Sequence, residues 1–188
     1  MPLDKPVTIL GIDPGTNILG FGVIRVENRR PQYVDMGVLD MRKVGDPYEK
    51  LAMIHSGVAE LIERYQPDNL SIESPFYGKN AQVIFKLGRA QGAAIAAAAE
   101  KKVPVFEYAP TKAKVAITGI GSASKESVSM MIQKELKVSL DPKHLDATDA
   151  LALAMCHYYQ LHNPLFSSSG GSGSWEKFIA ANPDRVKK

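Results

Sequence analysis

The chain has 188 residues, 45% of them apolar, enough for one compact domain with a core of its own. Lys plus Arg number 23 against 20 for Asp plus Glu, so a net charge of +3 permits an acidic partner without requiring one. A single cysteine and four histidines without metal-ligand spacing exclude a disulfide framework and a Cys/His zinc site. No run approaches the roughly 20 apolar residues of a membrane span, and MPLDKPVTIL carries no signal pattern, so a soluble cytoplasmic protein is expected.

Residues 7–12 form an apolar run closed by Asp13-Pro14-Gly15, a strand and its turn. Residues 20–26 and 32–40 alternate as two further strands, with Arg29-Arg30-Pro31 turning between them, and the three are expected to form an antiparallel meander. From Pro47 the period changes, and Leu51, Ile54, Val58, Leu61, Ile62 and Tyr65 share one helical face. Gln66-Pro67-Asp68 stops that helix before a short buried strand at 70–73. An Ala-rich helix over 80–102 follows, then a strand at 103–106, a brief helix at 111–118 and a break at Gly119-Ile120-Gly121. Ser122 or Ser124 can cap the next helix, which carries Val128, Met131, Ile132 and Leu136 on one face. The last helix spans about 145–159, with Cys156 in its apolar run as a buried, inert thiol. Three strands followed by alternating strands and helices predict an α/β fold, a mixed sheet with helices on both faces. Residues 167–174 (SSSGGSGS) read as a flexible linker, so the domain ends near 162. Residues 163–188 then form linker and tail, with Trp175, Phe178 and Ile179 as the tail's apolar anchors.

Four carboxylates carry the candidate chemistry. Asp13 closes the first strand and Glu73 the fourth; if these strands are neighbours, both acids project at one rim. Asp146 and Asp149 are three apart and share a helical face. Each has an ordinary reading as well. Asp13 suits a plain turn, Glu73 a solvated strand end, and the last two can complement a helix dipole for ~0.3–1 kcal/mol. Should they converge, the cluster needs a compensating cation. Mg²⁺ suits it, taking oxygen ligands while keeping waters and phosphate oxygens, and two ions ~3.5–4 Å apart would support an in-line displacement. The stretch 101–140 is basic, with seven lysines against three glutamates. Lys114 and Lys125 lie in it, either as phosphate contacts or as a solvated face. Phe76, three residues past Glu73, is either a stacking aromatic or core. Gly88, Gly92 and Ala96 make a smooth stripe on the Ala-rich helix, which packs closely on the sheet or forms a two-fold dimer contact.

Several blocks together resemble one family. Leu10-Gly11-Ile12-Asp13-Pro14-Gly15-Thr16, Gly20-Phe21-Gly22-Val23-Ile24, Ile72-Glu73-Ser74-Pro75-Phe76 and Leu87-Gly88-Arg89-Ala90-Gln91-Gly92 are similar to segments of the RuvC family of Holliday-junction resolvases. So are Phe106-Glu107-Tyr108-Ala109-Pro110, Gly119-Ile120-Gly121-Ser122-Ala123 and Asp146-Ala147-Thr148-Asp149-Ala150-Leu151-Ala152. They cover roughly residues 7 to 160 in the family's order. The resemblance implies a ribonuclease-H-like fold and a homodimer that nicks two like strands of a four-way DNA junction. It further implies Mg²⁺ (or Mn²⁺) held by Asp13, Glu73, Asp146 and Asp149, DNA contacts at Lys114, Lys125 and Phe76, and an association with a branch-migration motor. Asp146 falls at a position that varies in the family, sometimes to histidine. Three rivals are set beside this reading. Gly11-Ile12-Asp13 followed by Gly15-Thr16 also fits the phosphate loop of actin-like and sugar-kinase ATPases, although no second such loop is evident. A nuclease of the same fold acting on RNA, and a non-catalytic junction-binding module, are the others.

Overall fold

The structure, a computed structural model, describes residues 5–74, 80–140 and 145–162; Phe76 and the tail after 162 lie outside the described residues. Strands β1 (Val7–Asp13), β2 (Ile18–Glu27) and β3 (Arg30–Asp40) form the expected antiparallel meander. Strands β4 (Asn69–Glu73) and β5 (Val105–Tyr108) add parallel beyond β1, giving a five-stranded sheet of order β3-β2-β1-β4-β5. The turn between β2 and β3 is Asn28-Arg29, both at positive φ, not Arg29-Arg30-Pro31. Asn tolerates the left-handed region that a two-residue hairpin loop demands. Pro31 sits inside β3, acceptable because β3 is a sheet edge.

Alternation along the strands separates two cores. Leu10, Ile12, Leu19, Phe21, Val23, Leu70 and Ile72 face helices α1 (Pro47–Tyr65) and α2 (Ala81–Glu100). Ile9, Ile24 and Val26 face α3 (Pro110–Thr118), α4 (Lys125–Leu136) and α5 (Leu145–His162). The helix boundaries follow their caps. Asp46 accepts hydrogen bonds from the amides of Tyr48 and Glu49 at the start of α1, and Asn80 does the same for α2. Ser124, not Ser122, caps α4. Strand β5 begins two residues later than the periodicity suggested, because the Val103 amide still bonds the Ala98 carbonyl and closes α2. Met131 leaves the predicted face: Val128, Ile132 and Leu136 are buried at four-residue spacing, while Met131 is exposed. Among the described residues no helix is long and apolar enough to cross a membrane.

Helix α5 is the central helix, buried from Ala150 through His157. Its backbone lies directly on β1 and β2. A Cβ on Gly11 would collide with the carbonyl oxygen of Ala150, one on Gly20 with that of Asp146, and one on Gly22 with the backbone of Leu151. Gly11→Ala and Gly20→Ala should therefore each destabilise the fold by about 1–3 kcal/mol, the usual scale of overpacking. Denaturant unfolding checks this, and a midpoint unchanged in both variants would show that the helix can ride up without cost.

Candidate active site

Asp13 is the last residue of β1, and Glu73 the last of the neighbouring parallel strand β4. Because Ile12 pairs with Ile72, the next residue of each strand reaches the same rim. Leu10, Ile12, Leu70 and Ile72 face α1 and α2, so Asp13 and Glu73 alternate to the α5 side. There the first turns of α5 bring Asp146 and Asp149. Asp13, Asp146 and Asp149 each offer a carboxylate oxygen, and the three atoms lie within 4.8 Å of one another. Glu73 stands outside that tight triad but lines the same cavity of about 410 Å³, as do Lys114 and Lys125.

The electrostatics follow from crowding. Burial, then the charges of Glu73 and Asp149, push the Asp13 carboxyl up to about 7. Burial and Asp149 raise Glu73; burial raises Asp149 against the opposing pull of Lys125. Lys125, at the first position of α4, ion-pairs with Asp149 and lies 3.7 Å from Asp146. Burial works against its charge, but the hydrogen bond to Asp149 prevails and raises its pKa. Lys125 is thus no merely solvated helical face. Lys114 is half-buried on α3, and its charge lowers both Glu73 and Asp149.

Gln91, one residue of a family-like block, carries no role of its own in the sequence pattern. It is buried on α2 and donates from Nε2 to Glu107 Oε2 (2.8 Å) and to the Glu73 carbonyl (3.3 Å), tying the end of β4 to β5 and α2. A glutamine at a helix position that otherwise reads Ala is the signal that could have found it. Cys156 is buried and unpaired, its thiol pushed up by burial to about 11, as an inert core cysteine should be. The neighbouring His157 is held neutral by burial, lowered to about 4, with Nδ1 at 2.6 Å from the Tyr108 hydroxyl. It belongs to the core and not to a metal site.

Comparison with known proteins places the fold and the family. The family model for crossover junction endodeoxyribonuclease RuvC matches residues 9–157. The chain belongs to the RuvC family. It is 52% identical over 185 residues to a crossover junction endodeoxyribonuclease RuvC from Bacteroides fragilis, covering 97% of each chain. With that of Cytophaga hutchinsonii it shares 50% over 179 residues, 95% of this chain and 88% of the other. Thermus thermophilus RuvC, solved in complex with a Holliday junction substrate, superposes with a TM-score of 0.74 at 32% identity, covering 81% of this chain and 94% of that one. The yeast mitochondrial resolvase Ydc2 shares the fold, with a TM-score of 0.59 at 14% identity over 80% of this chain and 77% of that one. The ribonuclease-H-like architecture and the nuclease class of a RuvC member follow; the ATPase reading is not favoured.

The raised Asp13 carboxyl has a sign in stability. The folded chain binds that proton more tightly than the unfolded one, so the contribution is complete below about 4 and is lost as pH rises through about 7. Glu73 and Asp149 act in the same direction. With divalent ions chelated, the wild type should lose melting temperature between pH 5 and pH 8 relative to Asp13→Asn, whose neutral amide mimics the protonated acid. Divalent metal should restore most of the loss at pH 8. Parallel pH profiles for the two proteins by calorimetry would rule out a strained Asp13.

Proposed function

We propose that this protein is a homodimeric Holliday-junction resolvase of the cytoplasm, one that nicks two like strands of a four-way DNA junction symmetrically during recombination and repair. The carrying observation is the cavity itself: three aspartates within 4.8 Å, a fourth acid from the adjacent strand, and two lysines, in a RuvC-family chain.

The residues fit a divalent metal. The donor set is all oxygen, and the burial and like charges that push the Asp13 carboxyl up are what a bound cation would relieve. Asp13, Asp146 and Asp149 would hold Mg²⁺, or Mn²⁺ with the same preference for oxygen, and Glu73 would complete the set from the β4 side, with room for a second ion. Such an ion supplies Lewis-acid polarisation of the phosphate and a water acidic enough to attack near neutral pH. The protein's own part is placement. Gln91 and the β4–β5 pairing fix the height of Glu73, and the glycine contacts under α5 fix Asp146 and Asp149. Lys114 and Lys125 are placed to take phosphate oxygens, Lys125 exchanging a carboxylate for the substrate. Phe76, outside the described residues, is proposed to stack on a base at the opened junction.

Two like strands on a nearly two-fold substrate call for two equivalent sites, which a symmetric dimer supplies. Helix α2 provides the contact. Its sheet-packing alternative is excluded at the glycine stripe: a Cβ on Gly88 or Gly92 would meet nothing within 4 Å, and Gly92 and Ala96 are exposed. Phe85, 70% exposed on the same side of α2, is a knob for such a smooth surface.

Asp13→Asn should bind a labelled four-way junction and fail to cut it under Mg²⁺; near-normal cleavage would remove Asp13 from the chemistry. The cleavage assay, run beside a matched duplex and an RNA/DNA hybrid, also separates junction resolution from an RNA-directed nuclease. Gly92→Leu should keep or slightly raise the stability of the monomer, by up to about 1 kcal/mol from helix propensity, while weakening the dimer at least tenfold by sedimentation. A normal dimer in this variant would move the interface away from α2.

A further inference from the structure

On the far side of the 14–18 loop lies a second cavity, of about 430 Å³, that the nuclease site does not use. It shares walls with the acidic one. Gly15 and Ile18 line the acidic cavity and Thr16 and Asn17 this one; on α2, Leu87 faces the former and Lys86 the latter. Its charged lining residues are all cations: Lys50 from α1, and Lys86 and Arg89 one turn apart on α2. Lys50 is held by Asn17, its Nζ donating to Oδ1 at 2.6 Å, and not by an acid. Among the described residues, Lys86 and Arg89 make no ion pair, whereas Lys101, at the C-cap of α2, pairs with Glu63 of α1. Tyr48, 71% exposed, completes the mouth. Like charges converging on one concavity without a carboxylate repel each other unless an anion sits among them, and an exposed aromatic beside cations is the usual composition of a nucleic-acid groove.

We propose that the Lys50, Lys86 and Arg89 cavity is a second DNA contact, gripping a backbone phosphate of the junction on the opposite side of the 14–18 loop from the acids, with Tyr48 against the adjoining sugar or base. This rests on the resolvase reading. The loop that ends β1 is then clamped between two phosphates of the bound DNA, one at the acids and one at the cations. The contact is to phosphate, so it adds affinity and register without reading sequence.

The test compares the Asp13→Asn protein, on which bound junction stays intact, with the same protein carrying Lys86→Ala/Arg89→Ala. The double variant should bind the junction roughly tenfold more weakly at ~0.1 M salt, and its logarithmic salt slope should shrink by about one unit per lost contact. Replacing junction phosphates one at a time by neutral methylphosphonates should reveal a position that weakens the Asp13→Asn protein and is silent in the double variant. If the double variant melts early or dissociates, Lys86→Gln and Arg89→Gln singly carry the same comparison. Unchanged affinity and slope, or no phosphate position silent in the variants, overturns the proposal while wild-type cleavage leaves the resolvase reading intact. A wild-type protein that neither binds nor cuts junctions fails the resolvase reading first. Titration with fluorescent ATP is the remaining arm: nucleotide binding that the variants lose, with junction binding untouched, would assign the cavity to a free nucleotide and overturn the DNA contact.

Discussion

Everything at the acidic cavity depends on a backbone touching a backbone. At three points helix α5 rests directly on the backbone of β1 and β2, because Gly11, Gly20 and Gly22 carry no side chain where it crosses. Packing through side chains holds a helix off a sheet; removing three of them lets the helix sink. Only at that reduced height do the carboxylates of Asp146 and Asp149 come level with the end of β1. Glycine weakens strands, and here the lost strand propensity is offset by the burial of α5 from Ala150 through His157.

The cost of bringing acids together falls on Asp13, Glu73 and Asp149, each held above the ordinary carboxylate range. Burial and mutual repulsion lift Asp13 into the neutral range, and Lys125 answers with a direct ion pair to Asp149. That lysine is at the first position of α4, an element set in place by the Ser124 cap and by the buried Val128, Ile132 and Leu136. The backbone that carries the counter-charge is therefore held in place, while the Lys125 side chain reaches Asp149 from a half-exposed position.

Much of this was readable from residue patterns. The alternation in 20–26 and 32–40 placed the meander, and the switch of period at Pro47 placed α1. Adjacency of β1 and β4, which brings Asp13 and Glu73 to one rim, was stated as a condition because pairing between distant strands leaves no local trace. The convergence of Asp146 and Asp149 with Asp13 had a trace that went unused, the glycines at 11, 20 and 22 facing one way on paired strands. The misplacements have local causes. Strand β5 was set early because the closing hydrogen bond of α2 reaches Val103. Met131 was put on the buried face because a helix lets i+3 and i+4 both pass as neighbours, and only packing against α5 selects the four-residue series. The stripe of Gly88 and Gly92 read equally well as inward or outward, since small residues suit any close contact; the buried face of α2 is instead Ala90, Gln91, Ala94, Ala97 and Ala98.

The seating of α5 also makes its length count in one direction only. Each residue advances a helix by about 100°. One residue inserted between Asp149 and the Gly11 contact at Ala150 would swing both carboxylates a quarter-turn and more away from Asp13, whatever its chemistry. The same insertion past His157, beyond the glycine strip, would leave them where they are. This helix therefore has a phase as well as a composition, locked at its acid-bearing end, so that a change of length there moves the acids and one in the distal turns does not.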